Sequence, residues 1–142
     1  MAAIIDRTHQ GTLHPVHAVL LAATVPLFLG ALLSDLAYSN SYEVQWTNFA
    51  SWLIVGGLIF SGSALLWALI DLIRPDRRSG RTVVLFLLLL AAFVLGFFNA
   101  LVHAKDAWAS QPAGLILSMI IFVLAIIATW VGFARPREED NK

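Results

Sequence analysis

The chain has 142 residues, of which 59% are apolar and only 13% are charged. Its mean hydropathy of +0.80 is far above that of a soluble domain of this length, so lipid is the expected solvent. A formal net charge of +0 provides no basic field for a nucleic-acid partner, and the absence of cysteine excludes disulfides, thiolate nucleophiles and Cys-based metal sites.

Four uncharged stretches lie between the ionisable residues, and each is long enough to cross the hydrocarbon core as a helix of about 20 residues. The predicted spans cover residues 15–38, 46–73, 82–104 and 112–134. Short polar segments separate them, so neighbouring helices must run antiparallel. The sequence therefore predicts an all-α protein, an antiparallel four-transmembrane-helix bundle in a single domain over residues 1–142.

The first span begins at Pro15, where proline is tolerated because its missing N–H would be unpaired in any case. Pro26 lies inside this span and predicts a bend, since neighbouring helices can satisfy the carbonyl that it frees. Six residues recur at helical spacing and are predicted to form one buried stripe: His17, Leu21, Thr24, Phe28, Ala31 and Asp35. The two ends of this stripe are ionisable.

Small residues follow one face of each of the other three spans. Such residues let helices approach closely in lipid, where there is no hydrophobic force between helices. They are Gly56, Gly57, Ser61, Gly62 and Ser63 in the second span, Ala92, Gly96 and Ala100 in the third, and Gly114, Ser118, Ala125, Ala128 and Gly132 in the fourth. These stripes predict a compact bundle and also suggest faces for self-association.

Basic residues are segregated between the connections. One side of the predicted bundle carries Arg7, Arg74, Arg77, Arg78, Arg81, Arg135, Arg137 and Lys142, and the other side carries Lys105 alone. Because Lys and Arg stay on the cytoplasmic side during insertion, both termini are predicted to be cytoplasmic. Aromatic residues agree with this orientation: an outer belt of Tyr38, Tyr42, Trp46 and Trp108, and an inner pair of Trp67 and Trp130.

Ionisable residues near the inner end are candidates for a functional site, since charge at membrane depth is costly. His14 and His17 are three residues apart and share a helix face, so their imidazoles could meet a metal, a haem or an anionic lipid headgroup. Asp71 is a candidate partner for either histidine or for Arg74. The alternative interpretation is an interfacial ion pair that fixes the depth and register of the helices.

A second group of polar residues is predicted at the outer end. Asn99 and His103 are four residues apart on the third span, and Asp35 reaches the same depth from the first. Together with Lys105, these side chains could bind a cation or orient a histidine. The alternative is a polar lid that closes the bundle.

Helix length limits the use of these histidines as haem ligands. His17 and His103 lie at opposite ends of their spans, and the third span alone rises about 30 Å, so one porphyrin cannot contact both. A haem b at His14 or His17 would need a second ligand from elsewhere or sharing between subunits. Nucleophile triads, Gly-rich phosphate loops and paired catalytic carboxylates do not occur, so the sequence does not suggest an enzyme.

Several strings of the sequence resemble those of a known family. They are LHPVH at 13–17, LSDLAY at 33–38, IDLI at 70–73, NALVHAKDAW at 99–108 and PAGLILS at 112–118. Together they resemble a bacterial family of predicted four-span inner-membrane proteins with a His-Pro-x-His start motif, described only as a domain of unknown function. The resemblance covers residues 13–132 and implies a bacterial cytoplasmic (inner) membrane and four helices. It brings no established activity.

The sequence thus favours a small, non-enzymatic accessory or scaffold bundle of the inner membrane. Its expected partners are the lipid bilayer and either a second copy or a larger membrane complex. Two alternatives stay open: a b-type haem-binding electron-transfer protein that uses the inner histidines, and a metal or small-solute transporter that uses the outer polar residues.

Overall fold

Residues 13–134 are described by the computed structural model, and they form four long α-helices. The helices are α1 (Pro15–Ser41), α2 (Val44–Ile73), α3 (Gly80–His103) and α4 (Ala113–Phe133), with short 3-10 turns at Pro75–Arg77 and Ala107–Ser110. No strand occurs within residues 13–134. All four helices are long and apolar enough to cross a membrane, which confirms the predicted all-α class and the number of spans.

Local capping explains where two of the helices begin. His14 precedes α1, and its ring Nδ1 accepts a hydrogen bond from the Val16 N–H at 3.3 Å. Ser79 precedes α3, and its hydroxyl accepts from the Thr82 N–H at 3.2 Å. Each cap satisfies one of the backbone donors that a helix start leaves without a partner.

The helices close into a ring in chain order. Helix α1 packs against α2 and α4, and α3 packs against the same two helices. The connections are short, so each helix runs antiparallel to both of its neighbours. We call the end with the α2–α3 connection the inner end and the opposite end the outer end, after the predicted orientation.

Most residues of the small-residue stripes face the inside of this ring, as predicted for a compact bundle, whereas Ser63 is exposed. Gly57 lies against the Phe28 ring, which leaves no room for a Cβ atom. A Cβ on Gly96 would come within 2.9 Å of Leu58 Cδ2, and one on Gly132 would come within 2.5 Å of a Leu21 methyl group. Self-association through the small-residue stripes stays a prediction.

Apolar side chains cover the outside of the bundle. Trp52, Trp108 and Trp130 are each 77% exposed, and most other exposed residues of the helices are Leu, Ile, Val or Phe. Such a surface is unfavourable in water and suits contact with lipid tails.

Helix α1 continues without interruption through Pro26. The Leu21 carbonyl, just over one turn earlier, accepts the Thr24 hydroxyl at 2.7 Å and the Thr129 hydroxyl of α4 at 3.2 Å. The carbonyl that Pro26 itself frees is that of Ala22, and no side-chain hydrogen bond to it occurs among residues 13–134. The bend at Pro26 stays a prediction.

Candidate functional site

The buried stripe of α1 is confirmed, since all six of its predicted residues are buried. Its two ionisable ends are among the least accessible side chains: His17 is 1% exposed and Asp35 is 0% exposed. Helix α1 therefore carries one ionisable group into the interior near the inner end of the bundle and another near the outer end. These two ends form separate candidate sites.

At the outer end, Asp35 of α1 meets polar side chains from two other helices. Its Oδ1 lies 2.7 Å from Nε2 of His103, the last residue of α3. Its Oδ2 accepts a hydrogen bond from the Ser118 hydroxyl of α4 at 2.5 Å. The Ser118 oxygen in turn accepts from Nδ2 of Asn99, one turn before His103, at 2.8 Å. We call Asp35, Asn99, His103 and Ser118 the outer network.

The outer network is almost completely closed to solvent. None of its four residues is more than 6% exposed. His103 Nδ1 also lies 3.0 Å from the main-chain carbonyl oxygen of Asn99, so both nitrogens of this ring face an oxygen. The Asn99 Oδ1 atom is buried and has no hydrogen-bond partner among residues 13–134.

Gly114 provides the space for the His103 ring. A Cβ atom at this position would lie 2.8 Å from Cε1 of His103, closer than real Cβ contacts come. The imidazole therefore packs directly on the backbone of α4. Ser118 lies four residues further along, so one face of α4 both admits the ring and supplies a hydroxyl to Asp35.

The structure brings together three of the four residues predicted for the outer group. Asp35, Asn99 and His103 converge, whereas Lys105 is exposed and its side chain makes no hydrogen bond or ion pair within the described part of the chain. Ser118 was interpreted only as a packing residue. The signal for its role was its position, because Gly114 and Ser118 share a face of α4 at the depth of His103.

An open cavity of ≈ 430 Å³ lies at the same end of the bundle. Its lining residues are Tyr38, Ser39, Tyr42, Trp108, Gln111, Pro112 and Leu115. Tyr38 is buried, so its predicted place in a lipid-facing aromatic belt is wrong. It shares a face of α1 with Asp35, and that face points into the bundle. Tyr42 and Trp108 are exposed, as such a belt requires.

At the inner end, His14 just before α1 and His17 within α1 lie on the same side, as predicted, and both contact Trp67 of α2. The ring centroids of His14 and Trp67 are 4.9 Å apart, and those of His17 and Trp67 are 5.7 Å apart with nearly parallel planes. His14 is exposed, but both ring nitrogens of His17 are buried without a hydrogen-bond partner among residues 13–134. An unpartnered buried imidazole is unusual, since buried polar groups are nearly always hydrogen-bonded.

Asp71 has a different partner from those predicted. Its carboxylate lies 3.7 Å from the Arg77 guanidinium, and within residues 13–134 no hydrogen bond joins it to His14, His17 or Arg74. The Arg77 side chain is 56% exposed, so this is a surface ion pair. The predicted pairing of Asp71 is therefore wrong, because the 3-10 turn after α2 brings Arg77 rather than Arg74 to this carboxylate.

A family model described as "Predicted membrane protein (DUF2231)" matches residues 13–135. The chain belongs to this family. The match runs through all four helices of this DUF2231 protein and includes both histidines of the inner end and the whole outer network. It confirms the resemblance noted in the sequence to a membrane family of unknown function. No curated protein and no solved structure matches the chain.

The two ends of the DUF2231 bundle offer different chemistry. The outer network holds a carboxylate, an imidazole, a hydroxyl and an amide in direct contact, an arrangement that can bind a proton or fix three helices together. The inner end offers the two nitrogens of His17, whose preferred partners are hydrogen-bonding groups or a metal atom. Within residues 13–134, no three His, Asp or Glu side chains form a group that could hold a metal ion.

Proposed function

We propose that the protein is a non-enzymatic accessory or scaffold subunit of the bacterial inner membrane. The observation that carries this proposal is the outer network. It ties α1, α3 and α4 together through direct side-chain hydrogen bonds. Polar residues at membrane depth that are bound to one another act as an adhesive between helices. A bundle fixed in this way presents an apolar outer surface to lipid and to partner helices.

The proposed orientation places both termini in the cytoplasm. It is supported by the four arginines of the α2–α3 connection, which contrast with the single Lys105 of the α3–α4 connection. The chain has no cysteine, so single-cysteine variants report cleanly on sidedness. With a membrane-impermeant thiol reagent on intact cells, Trp108→Cys is expected to react and Arg78→Cys is expected to react only after lysis. Reaction of both variants in intact cells would contradict the orientation.

A flux measurement separates the scaffold role from the transport alternative. The protein is reconstituted in liposomes that contain a pH-sensitive dye or a metal-sensitive dye. A scaffold is expected to pass neither protons nor Zn²⁺ faster than protein-free liposomes do. A flux that is present in the natural protein and lost in Asp35→Asn would overturn the proposal in favour of a transporter that uses the outer network.

A second candidate function, b-type haem binding, is favoured by one observation. His17 carries two buried ring nitrogens without partners, and a neutral imidazole nitrogen is a common axial ligand of haem iron. The second axial ligand would come from another copy or from a residue other than histidine, because His103 lies at the opposite end of the bundle.

An optical spectrum of the purified protein tests the haem candidate. A Soret band that is lost in His17→Ala and kept in His103→Ala would support haem at the inner end. The comparison also controls for damage to the fold, since His103 has the larger number of hydrogen bonds. A colourless protein after expression with added haem precursor would end this candidate.

A further inference from the structure

The positions of the His103 nitrogens determine how many protons the outer network holds. Nδ1 lies 3.0 Å from the main-chain carbonyl oxygen of Asn99, and a carbonyl oxygen can only accept a hydrogen bond. Nδ1 must therefore carry a proton. In a neutral imidazole only one nitrogen is protonated, so Nε2 would then be an acceptor.

The second ring nitrogen faces another acceptor. Nε2 of His103 lies 2.7 Å from Oδ1 of Asp35, and two atoms that both present lone pairs would repel at this distance. One further proton must lie between them. It is either on Nε2, giving imidazolium beside carboxylate, or on Oδ1, giving imidazole beside carboxylic acid. Both arrangements have no net charge.

Burial makes this neutral arrangement the favourable one. The side chains of His103 and Asp35 are 1% and 0% exposed. Loss of the shared proton would leave an uncompensated carboxylate out of contact with water, which is strongly unfavourable. The Ser118 hydroxyl donates to the other carboxylate oxygen and so satisfies it in both arrangements.

Other ionisable groups at this end are not part of the arrangement. Tyr38, Tyr42, Glu43, Lys105 and Asp106 lie on α1 or in the adjoining connections. None of them forms a hydrogen bond or ion pair with Asp35 or His103 in the described chain. Further toward the inner end, Phe28, Ile121 and Ala125 form an apolar cluster that contains no ionisable residue.

We propose that Asp35 and His103 form a proton-binding site that holds one shared proton, with no net charge, at the outer end of the bundle. This goes beyond the scaffold role, which requires only that the residues hold the helices together. It assigns a ligand, the proton, to a site whose members come from α1 and α3 and whose second carboxylate oxygen is satisfied from α4.

Proton counting by two spectroscopic measurements on the full chain in lipid nanodiscs tests the proposal. Nitrogen-15 NMR of labelled histidine reports whether each His103 nitrogen carries a proton, and His103→Gln assigns the resonances. Infrared spectroscopy reports whether Asp35 is a carboxylic acid, and Asp35→Asn assigns the band. Nδ1 is expected to be protonated at pH 7, together with either a protonated Nε2 or a carboxylic acid band of Asp35.

Two results would overturn the proposal. An unprotonated Nε2 together with an ionised Asp35 would show that the pair lacks the shared proton and would overturn the proposal. An unprotonated Nδ1 would also overturn it. Either result would leave the scaffold role standing, because that role is tested by flux and not by the number of protons.

Discussion

The outer and inner ends of the bundle each bury an ionisable side chain of α1, but only the one at the outer end is hydrogen-bonded. Asp35 has hydrogen-bonding partners on α3 and α4, whereas neither ring nitrogen of His17 has a partner among residues 13–134. The inner core facing α1 is built from small and aliphatic residues such as Ala64, Ala68 and Ala128. Helical spacing along α1 thus places both side chains on its buried face. Whether they are hydrogen-bonded depends on the side chains of the facing helices.

Among the substitutions considered, removing the Asp35 carboxyl group is expected to lower the free energy of unfolding the most. Asp35→Ala leaves the His103 imidazole and the Ser118 hydroxyl buried without their hydrogen-bonding partner. Breaking a buried pair in this way typically costs about 3–5 kcal/mol. Thermal unfolding in detergent should show a large loss of stability. A stability equal to that of the natural protein would mean that the outer network does not hold the helices together.

Filling the space beside His103 is expected to lower the free energy of unfolding by a smaller amount. Gly114→Ala places a methyl group 2.8 Å from the ring and should cost about 1–3 kcal/mol through overpacking. Gly56→Ala is the matched control, because its methyl group would meet only Leu27 at an ordinary 3.4 Å. Equal stabilities of the two variants would contradict the close packing of His103 on α4.

At the inner end, a substitution is expected to raise the free energy of unfolding rather than lower it. His17→Leu removes a buried imidazole that has no hydrogen bond, so the apo protein should gain about 1 kcal/mol. His103→Leu, with hydrogen bonds to lose, should instead be destabilised. Denaturation of the two purified variants measures the contrast. A marked loss of stability in His17→Leu would indicate that this ring has a partner in the folded protein.

Breaking the surface ion pair of the inner end is expected to lower the free energy of unfolding the least. Asp71→Ala breaks a contact of 3.7 Å to an Arg77 side chain that is 56% exposed. Exposed pairs of this kind contribute at most about 1 kcal/mol. The change in unfolding temperature should be small beside that of Asp35→Ala. A comparable loss in both variants would remove the distinction between the two ends.

The fold was predictable because hydrophobic run length decides the number of spans. The buried stripe from His17 to Asp35 was predictable as well, since helical spacing alone places its members on one face. Neither prediction required knowledge of how the helices rotate about their axes. The similar depth of Asp35, Asn99 and His103 made their convergence possible, but the contact itself also depends on that rotation.

What the sequence did not reveal depends on that rotation. Which helix faces meet determines that Tyr38 points inward and that Ser118 contacts Asp35. The ion pair between Asp71 and Arg77 depends in the same way on the geometry of the turn after α2. Small residues such as Ser118 are ambiguous in a transmembrane sequence, because the same side chain serves for close packing and for hydrogen bonding. Lys105 was misassigned because a charged residue next to a buried cluster can equally point to water.

The wide sequence separation within the outer network bears on how the chain enters the membrane. His103 follows Asp35 by 68 residues and Ser118 follows it by 83, so both partners are synthesised long after the first helix. Chains are made from the N-terminus, and α1 therefore reaches the bilayer before any group that can satisfy its carboxyl. Arrival of the fourth helix completes the ring of contacts and supplies the last hydrogen bond to Asp35. The hydrogen bonding of Asp35 is thus complete only once α4 is in place, and a nascent chain that stops short of Ser118 lacks one of the two side-chain partners of this carboxyl.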